Sequence, residues 1–274
     1  MPKLETAVVL LAGYGTRCLP FTKVLPKAMI PILNKPVIHY IVEELEACGI
    51  QKAIFVLPKT CNGRVVKQYF SQNKKYQNFL KSRNKSDALQ SLQKIRTCLT
   101  IKYIFTNKAN GSFGALYQAK KHIKNKDFAV LNGDDLFYGA ILPLQQMIAF
   151  YIKTGKSVIG TGEVAEDKKQ NYGIVETKQK NFDLILKNLL EKPRPEQTRS
   201  NLALFGRYIF TPDILRTKNK LKKHNGEFYL TDAILTASKQ QEIYVCQLQA
   251  KRYDCGSMEG LLQASNELFP PAIK

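Results

Sequence analysis

Residues 6–17 read TAVVLLAGYGTR. Thr6 to Ala12 form a near-continuous apolar run, ended by Gly13 and Gly15. A short apolar run bounded by glycine predicts a buried strand. A glycine-bearing loop behind such a strand lets backbone N–H groups approach phosphate oxygens, because no Cβ stands in the way. Arg17 and Lys27 add cations that a backbone cradle lacks. A tight turn leading into a solvated basic loop is the plainer reading of the same residues. The spacing fits neither a P-loop nor a dinucleotide fingerprint, whose third glycine opens a helix. Pro20 and Pro26 delay any helix, so the loop is expected to cross the top of a sheet. The first helix is expected from Pro36, as its first residue, to a stop at Gly49.

Working outward, strand-like and helix-like patterns alternate. Strands are expected at 53–57, 101–105, 128–131, 157–162, 173–176, 184–190, 203–210 and 243–247, and helices at 115–123, 143–154, 230–239 and 259–268. Residues 62–99 are polar and helical in pattern, without an apolar strand. Such alternation predicts an α/β sheet covered on both faces. The strand-rich second half makes a mixed sheet. In open α/β sheets, ligands sit beyond the carboxyl ends of the strands.

The chain has 274 residues, 44% of them hydrophobic, which suffices for one sizeable core. The formal net charge is +20. Such a surplus invites a nucleic-acid reading, yet the lysines are scattered and no binding motif or run of stacking aromatics accompanies them. A basic surface also concentrates any anionic substrate. Cysteines 18, 48, 61, 98, 246 and 255 show no CxxC pair and, with no signal peptide, read as reduced thiols of a cytoplasmic protein. Histidines 39, 122 and 224 form no metal pattern with them, and no apolar stretch is long enough to span a membrane.

Asn132-Gly133-Asp134-Asp135 follows the strand FAVL, so its carboxylates stand where the first glycine loop also points. Mg²⁺ prefers oxygen ligands and is usually held by one or two carboxylates together with substrate phosphates. Asp134 is one candidate ligand. Asp254, read as lying between an apolar strand and a glycine that opens a helix, is the second. Each also has a plain structural role open to it, as a turn residue or a helix cap. Lys192 after Glu191 could bind a phosphate, and Glu191 could accept from hydroxyls; a surface turn before Pro193 is the alternative. Gly173 and the Gly111–Gly114 segment could face a sugar and a nucleoside, or only turn and cap the chain.

Six segments, in order, carry a resemblance: AGYGTRCLPFTKVLPKAMIPILNKPVIHY, NGDDLFYG, NYGIVE, EKPRPEQTRSNLALFGRYIFTP, GEFYLTDAI and YDCGSMEGLLQA. Together they resemble the sugar-1-phosphate nucleotidyltransferases over nearly the whole chain. The stretch near 70–99 looks like that family's insertion after the second strand. The resemblance implies one Rossmann-like α/β/α sandwich over residues 1–274 with a mixed, mostly parallel sheet. Residues 1–135 would mainly bind nucleotide and 136–274 mainly sugar phosphate. It implies transfer from UTP to glucose 1-phosphate, giving UDP-glucose and pyrophosphate, with Mg²⁺.

Carried over, Ala12, Gly13, Gly15 and Thr16 would contact the nucleotide, and Gly111 would line its nucleoside pocket. Arg17 and Lys27 would hold the triphosphate, and Asp134 and Asp254 the metal. Gly173, Glu191 and Lys192 would hold the sugar phosphate. Two positions depart from the family pattern. Ala28 replaces a glutamate, and Thr106 replaces the glutamine that meets the base edge, offering fewer hydrogen-bonding groups. Thymidylyl transfer, another sugar acceptor, and a non-catalytic sugar-nucleotide sensor therefore stay open. YDCGSMEG and NLALFGRYIF lean to the uridylyl branch, NGDDLFYG to the thymidylyl one. The resemblance also suggests a homo-oligomer whose partners are small-molecule substrates, while the scattered lysines and the lack of a long apolar stretch argue against nucleic-acid and membrane partners.

Overall fold

A computed structural model describes residues 4–95, 97–107 and 110–268. The opening apolar run forms β1 (Thr6–Leu10), followed by the short strands β2 (Pro31–Ile32) and β3 (Lys35–Pro36). Next come β4 (Lys52–Pro58), β5 (Thr100–Thr106), β6 (Phe128–Asn132) and β7 (Asp135–Tyr138). The second half adds β8 (Ser157–Glu163), β9 (Gly173–Lys180), β10 (Asp183–Glu191) and β11 (Leu202–Phe210). The last two strands are β12 (Ile243–Gln247) and β13 (Lys251–Asp254).

Nine strands build one sheet in the order β5-β4-β1-β6-β11-β8-β12-β10-β9. β5, β4, β1 and β6 run parallel. β11 runs against both β6 and β8, β12 runs with β8, and β10 runs against β12 and β9. Only β11 and β10 therefore oppose the common direction, and the sheet is mixed and mostly parallel.

Alternation along the central strands shows why helices lie on both faces. Ala7 and Val9, Ala53 and Phe55, and Ala129 and Leu131 pack into one apolar cluster. Val8, Ile54 and Val130, one residue out of step, pack into the other. Successive side chains of a strand point to opposite faces, so a strand that is apolar throughout needs cover on both. Helices Val37–Ala47, Pro143–Thr154 and Met258–Leu268 cover the first face. Helices Gly111–Gln118 and Leu230–Ser238 cover the second.

The loop after β1 crosses the sheet top in three short 3₁₀ turns, Thr16–Cys18, Phe21–Lys23 and Lys27–Met29. β1 has β4 on one side and β6 on the other, so this loop leaves from a point where the chain switches direction of travel across the sheet. Residues 62–95 are helical as read, in three pieces: Cys61–Phe70, Lys74–Ser82 and Ser86–Gln93.

Several expectations need correction. Pro36 is the N-cap of the first helix and closes β3, so that helix opens at Val37. Its N-cap conformation is extended, and the β2–β3 pairing holds it there. The helix expected over 115–123 begins at Gly111 and breaks at Ala119 into a second short piece, Lys120–Ile123. Asp254 does not follow an apolar strand. It closes β13, a polar strand reading KRYD, which pairs with β7 outside the main sheet. Neither β7 nor β13 is long or apolar enough to stand out by periodicity.

Candidate active site

The base of the site is set where β1 and β6 end side by side. Gly133 N–H donates to the Leu10 carbonyl at 3.0 Å, and Leu11 N–H donates to Val56 O at 2.9 Å. A Cβ on Gly133 would run into the Leu11 side chain, so only glycine lets the 132–135 turn press against the glycine loop. That contact points Asp134 toward Lys27, and the two side chains form an ion pair. Burial alone would raise the Asp134 carboxyl. The Lys27 ammonium outweighs it and holds the group below the usual carboxylate range. Burial would likewise lower Lys27, and Asp134 outweighs that to raise it. The carboxylate's contribution to stability is present above its unfolded pKa and is lost as pH falls through its depressed folded value. The ammonium's is present below its unfolded pKa and is lost as pH rises through its elevated folded value. The pair is therefore intact throughout the neutral range.

The second carboxylate arrives on β13, whose register sets Asp254 opposite Asp135 of β7. Arg17 Nη1 donates to Asp254 Oδ2 at 3.0 Å, and the Tyr172 hydroxyl reaches the same oxygen at 3.3 Å. Asp254 Oδ1 also accepts from Gly256 N–H at 3.0 Å, so its turn role and its site role coexist. Gly256 marks where everything converges. A Cβ there would lie 2.5 Å from Asp134 Oδ2, 2.7 Å from Arg17 Nη2 and 2.9 Å from Asp254 Oδ1. The two carboxylate oxygens are thus no farther apart than two of these lengths laid end to end. Among the described residues no three His, Cys, Asp or Glu side chains form a metal cage. An all-oxygen pair of this kind suits a hard cation that takes its remaining ligands from water and phosphate.

Two cavities meet at Asp134. One, of about 310 Å³, is walled by Ala12, Gly13, Lys27, Gly111, Ser112 and Asp134 among others. Its neighbour, of about 170 Å³, takes in Arg17, Gly173, Glu191, Thr231, Arg252 and Asp254. Ser112, Asn132 and Asp134 belong to both walls. Nine of the residues singled out by sequence thus gather around one crevice.

Four do not line it. Gly15 sits on the shoulder of the loop with φ 65°, its carbonyl taking the Thr22 hydroxyl at 2.8 Å. Thr16 is exposed beside it. Thr106 closes β5, where its carbonyl accepts from Lys59 N–H at 2.8 Å. Lys192 is exposed just past β10, its N–H donating to Tyr172 O at 3.0 Å. Its φ of 46° is rare for a residue with a side chain, and such strain concentrates at functional sites. Ala28 is buried in the apolar core.

Gly111 serves packing as well as the cavity wall. Its φ is 77°, and a Cβ would meet Phe228 O at 2.5 Å. Phe113 N–H donates to that same carbonyl at 3.0 Å, and Leu230 N–H donates to the Ser112 hydroxyl at 2.9 Å. These bonds tie residues 110–113 to the segment that carries Thr231.

A charged layer underlies the crevice, with Asp135 and Arg252 in the wall of the smaller cavity. Asp135, 1% exposed, takes Arg252 Nε at 2.7 Å and Nη2 at 2.5 Å, and Asn132 Nδ2 at 3.1 Å. The Arg252 guanidinium lies 4.7 Å from the Tyr172 ring centre and 4.9 Å from that of Phe205. Arg207, equally buried, pairs with Glu44 at 2.7 Å and donates to the Asp135 carbonyl at 3.0 Å. Sequence reading missed this layer. One signal was available for Arg252. It stands two residues before Asp254, and strand residues two apart share a face. The partners of Arg207, by contrast, come from 72 and 163 positions away.

The described cysteines, 18, 48, 98, 246 and 255, are free thiols, and burial pushes that of Cys255 up to about 12. No described helix is long and apolar enough to cross a membrane.

A family model described as nucleotidyl transferase matches residues 6–269. The chain belongs to the nucleotidyl transferase family. This nucleotidyl transferase is 36% identical over 269 residues to the UTP–glucose-1-phosphate uridylyltransferase of Staphylococcus epidermidis, covering 97% of this chain and 93% of that one. Its fold superposes on the crystal structure of a UDP-glucose pyrophosphorylase complexed with UDP-glucose, with a TM-score of 0.86 and 35% identity. That match spans 97% of this chain and 98% of the other. A UTP-bound UGPase from Acinetobacter baumannii matches with a TM-score of 0.88 and 28% identity, over 99% of this chain and 96% of that one.

Proposed function

We propose that this nucleotidyl transferase makes UDP-glucose and pyrophosphate from UTP and glucose 1-phosphate. The observation that carries this reading is the convergence of Asp134 and Asp254 beside Gly256, each already paired with a cation, with Asp134 in the wall shared by two adjoining cavities and Asp254 in the smaller of them. The relatives' names point to the same substrates.

The chemistry is an in-line displacement. A phosphate oxygen of glucose 1-phosphate forms a bond to the α-phosphorus of UTP as the bond to pyrophosphate breaks. A phosphate monoester is already an anion near neutral pH, so no side-chain base and no covalent intermediate are required. Catalysis reduces to positioning and charge neutralisation between two mutually repelling anions. Ala12, Gly13, Gly15, Thr16, Thr106 and Gly111 would hold the nucleotide, mainly within residues 1–135. Gly173, Glu191 and Lys192 would hold the acceptor, mainly within 136–274. Arg17 and Lys27 would trade their carboxylate partners for triphosphate oxygens and take up charge on the departing pyrophosphate. Asp134 and Asp254 would hold Mg²⁺, which when bound draws charge from phosphate oxygens. The same reading makes the protein a cytoplasmic homo-oligomer whose partners are small molecules.

Pyrophosphate release from UTP and glucose 1-phosphate with Mg²⁺ tests the proposal, with dTTP run alongside. Faster turnover with UTP is expected. A preference for dTTP would move the chain to the thymidylyl branch, and no release with any nucleotide would make it a sensor. Lys192→Ala is expected to lower kcat by about 10²–10³-fold with the fold intact, as for loss of one preorganised charge stabiliser. Near-native turnover of that variant would remove Lys192 from the acceptor site.

A further inference from the structure

Outside the crevice, the helical stretch after β4 holds cations that no carboxylate balances. Residues 59–95 carry nine Lys and Arg against one acid, Asp87. Among the described residues, none of the nine forms an ion pair with a carboxylate, whereas Arg17, Lys27, Arg207 and Arg252 all do. Crowded like charges destabilise a fold through self-repulsion unless a counter-charge joins them. Arg64 and Lys67, three apart on one helix, add to that cost.

The fold gathers three of these cations into one concavity. Gly63 lets the helix Cys61–Phe70 press on the end of β4, since a Cβ there would collide with the Pro58 carbonyl. Lys59 follows that proline, its N–H donating to Thr106 O at 2.8 Å. Lys67 reaches across to β5, its ammonium 5.9 Å from the Tyr103 ring centre. Lys59, Arg64, Lys67 and Phe105 thereby wall a cavity of about 440 Å³, which shares no residue with the two cavities of the crevice. Gln68 and Ser71 join it to a further cavity of about 230 Å³. There Gln72, Asn73 and Gln77 line the wall with Gln68, beside half-buried Tyr76. The Tyr76 ring lies within 14° of parallel to that of Phe79, with centres 6.3 Å apart.

The two halves offer different chemistry. Arg and Lys bind phosphate oxygens, and three together suit more than one phosphate. Amides present donors and acceptors side by side, as a nucleobase edge does, and a tyrosine face takes a planar ring. We propose that these joined cavities form a second site, apart from the crevice, for a nucleoside polyphosphate. Its phosphates sit on Lys59, Arg64 and Lys67, and its base lies beside Tyr76 among the amides. A ligand there takes no part in the displacement; it rests against the ends of β4 and β5.

The test is lysine acetylation read residue by residue by mass spectrometry, with ATP as the probe. ATP at about ten times its Kd is expected to slow labelling of Lys59 and Lys67 by about 10-fold, by mass action, and to leave exposed Lys153 unchanged. Lys27 in the same sample reads the crevice, so ATP bound there is counted separately. Arg64→Gln removes no labelled residue and is expected to raise the ATP needed for protection by about 10–100-fold, the worth of one charge-assisted hydrogen bond. Tyr76→Ala is expected to raise it by about 5–100-fold, the worth of one stacked base, and to leave protection by tripolyphosphate unchanged. Both side chains are exposed, so the melting temperature should stay where it is. Failure of ATP to protect Lys59 and Lys67 in the unmodified protein would overturn the proposal, as would protection indifferent to Arg64→Gln. Tripolyphosphate protecting as well as ATP would overturn the base-binding half and with it the nucleotide.

Discussion

Asp134→Asn is expected to lower kcat by at least about 10²–10³-fold, and Asp254→Asn by a similar factor. The argument is geometric. Both carboxylates reach the small volume beside Gly256, with Arg17 at its edge. An amide keeps the shape and can still accept from Lys27, so the fold should persist, but it removes the charge that a divalent cation needs. Lys27 would then face the triphosphate without a competing carboxylate, so KM for UTP should change little or fall. A loss confined to kcat, with an unaltered melting curve, separates a role in chemistry from a folding defect. Steady-state rates against UTP at saturating glucose 1-phosphate give the split. Near-native kcat in either variant would mean that the two carboxylates do not share one ion.

The parts of this site that were legible in the sequence are those where a local rule forces the outcome. TAVVLLA is apolar at every position after Thr6, so it had to be covered on both faces, and the glycines after it had to end the strand. Asp134 was found because it follows a buried strand within three residues. Asp254 was found from its place ahead of a glycine that opens a helix, and the resemblance agreed, while the strand that delivers it was misread. KRYD has no apolar signature, and its stability comes from pairing with β7 and from Arg252, not from its own pattern. The Pro36 boundary failed for a related reason. Proline suits the first turn of a helix, yet here tertiary pairing of β2 with β3 claims it. The charged layer beneath the crevice was the least legible. Its members are ordinary charged residues in sequence, and what makes them unusual is burial, a property of the finished fold.

Arg252→Met is expected to destabilise the protein by about 3–5 kcal/mol, the usual cost of removing one partner of a buried ion pair. The size follows from what is left behind. Asp135 is 1% exposed and faces Arg252 through two short bonds, with Asn132 as its other side-chain donor. Arg207 gives its bonds to Glu44 and to the Asp135 carbonyl, so it is not free to replace the lost cation. Space for a rescuing water is also limited: Gly206 has φ 65°, and even a Cβ there would collide with the Asp135 carboxylate. Methionine fills much of the vacated volume between Tyr172 and Phe205, which isolates the charge effect from a cavity effect. Urea unfolding measures the change. The double variant Arg252→Met/Asp135→Asn should recover part of the loss, because it removes the stranded charge as well as its partner. Equal destabilisation of the single and double variants would mean that Arg252 acts through its aromatic packing and not through Asp135. Recovery would identify the pair as the brace that sets β13 against β7, and so holds Asp254 at the distance from Asp134 that the first prediction requires.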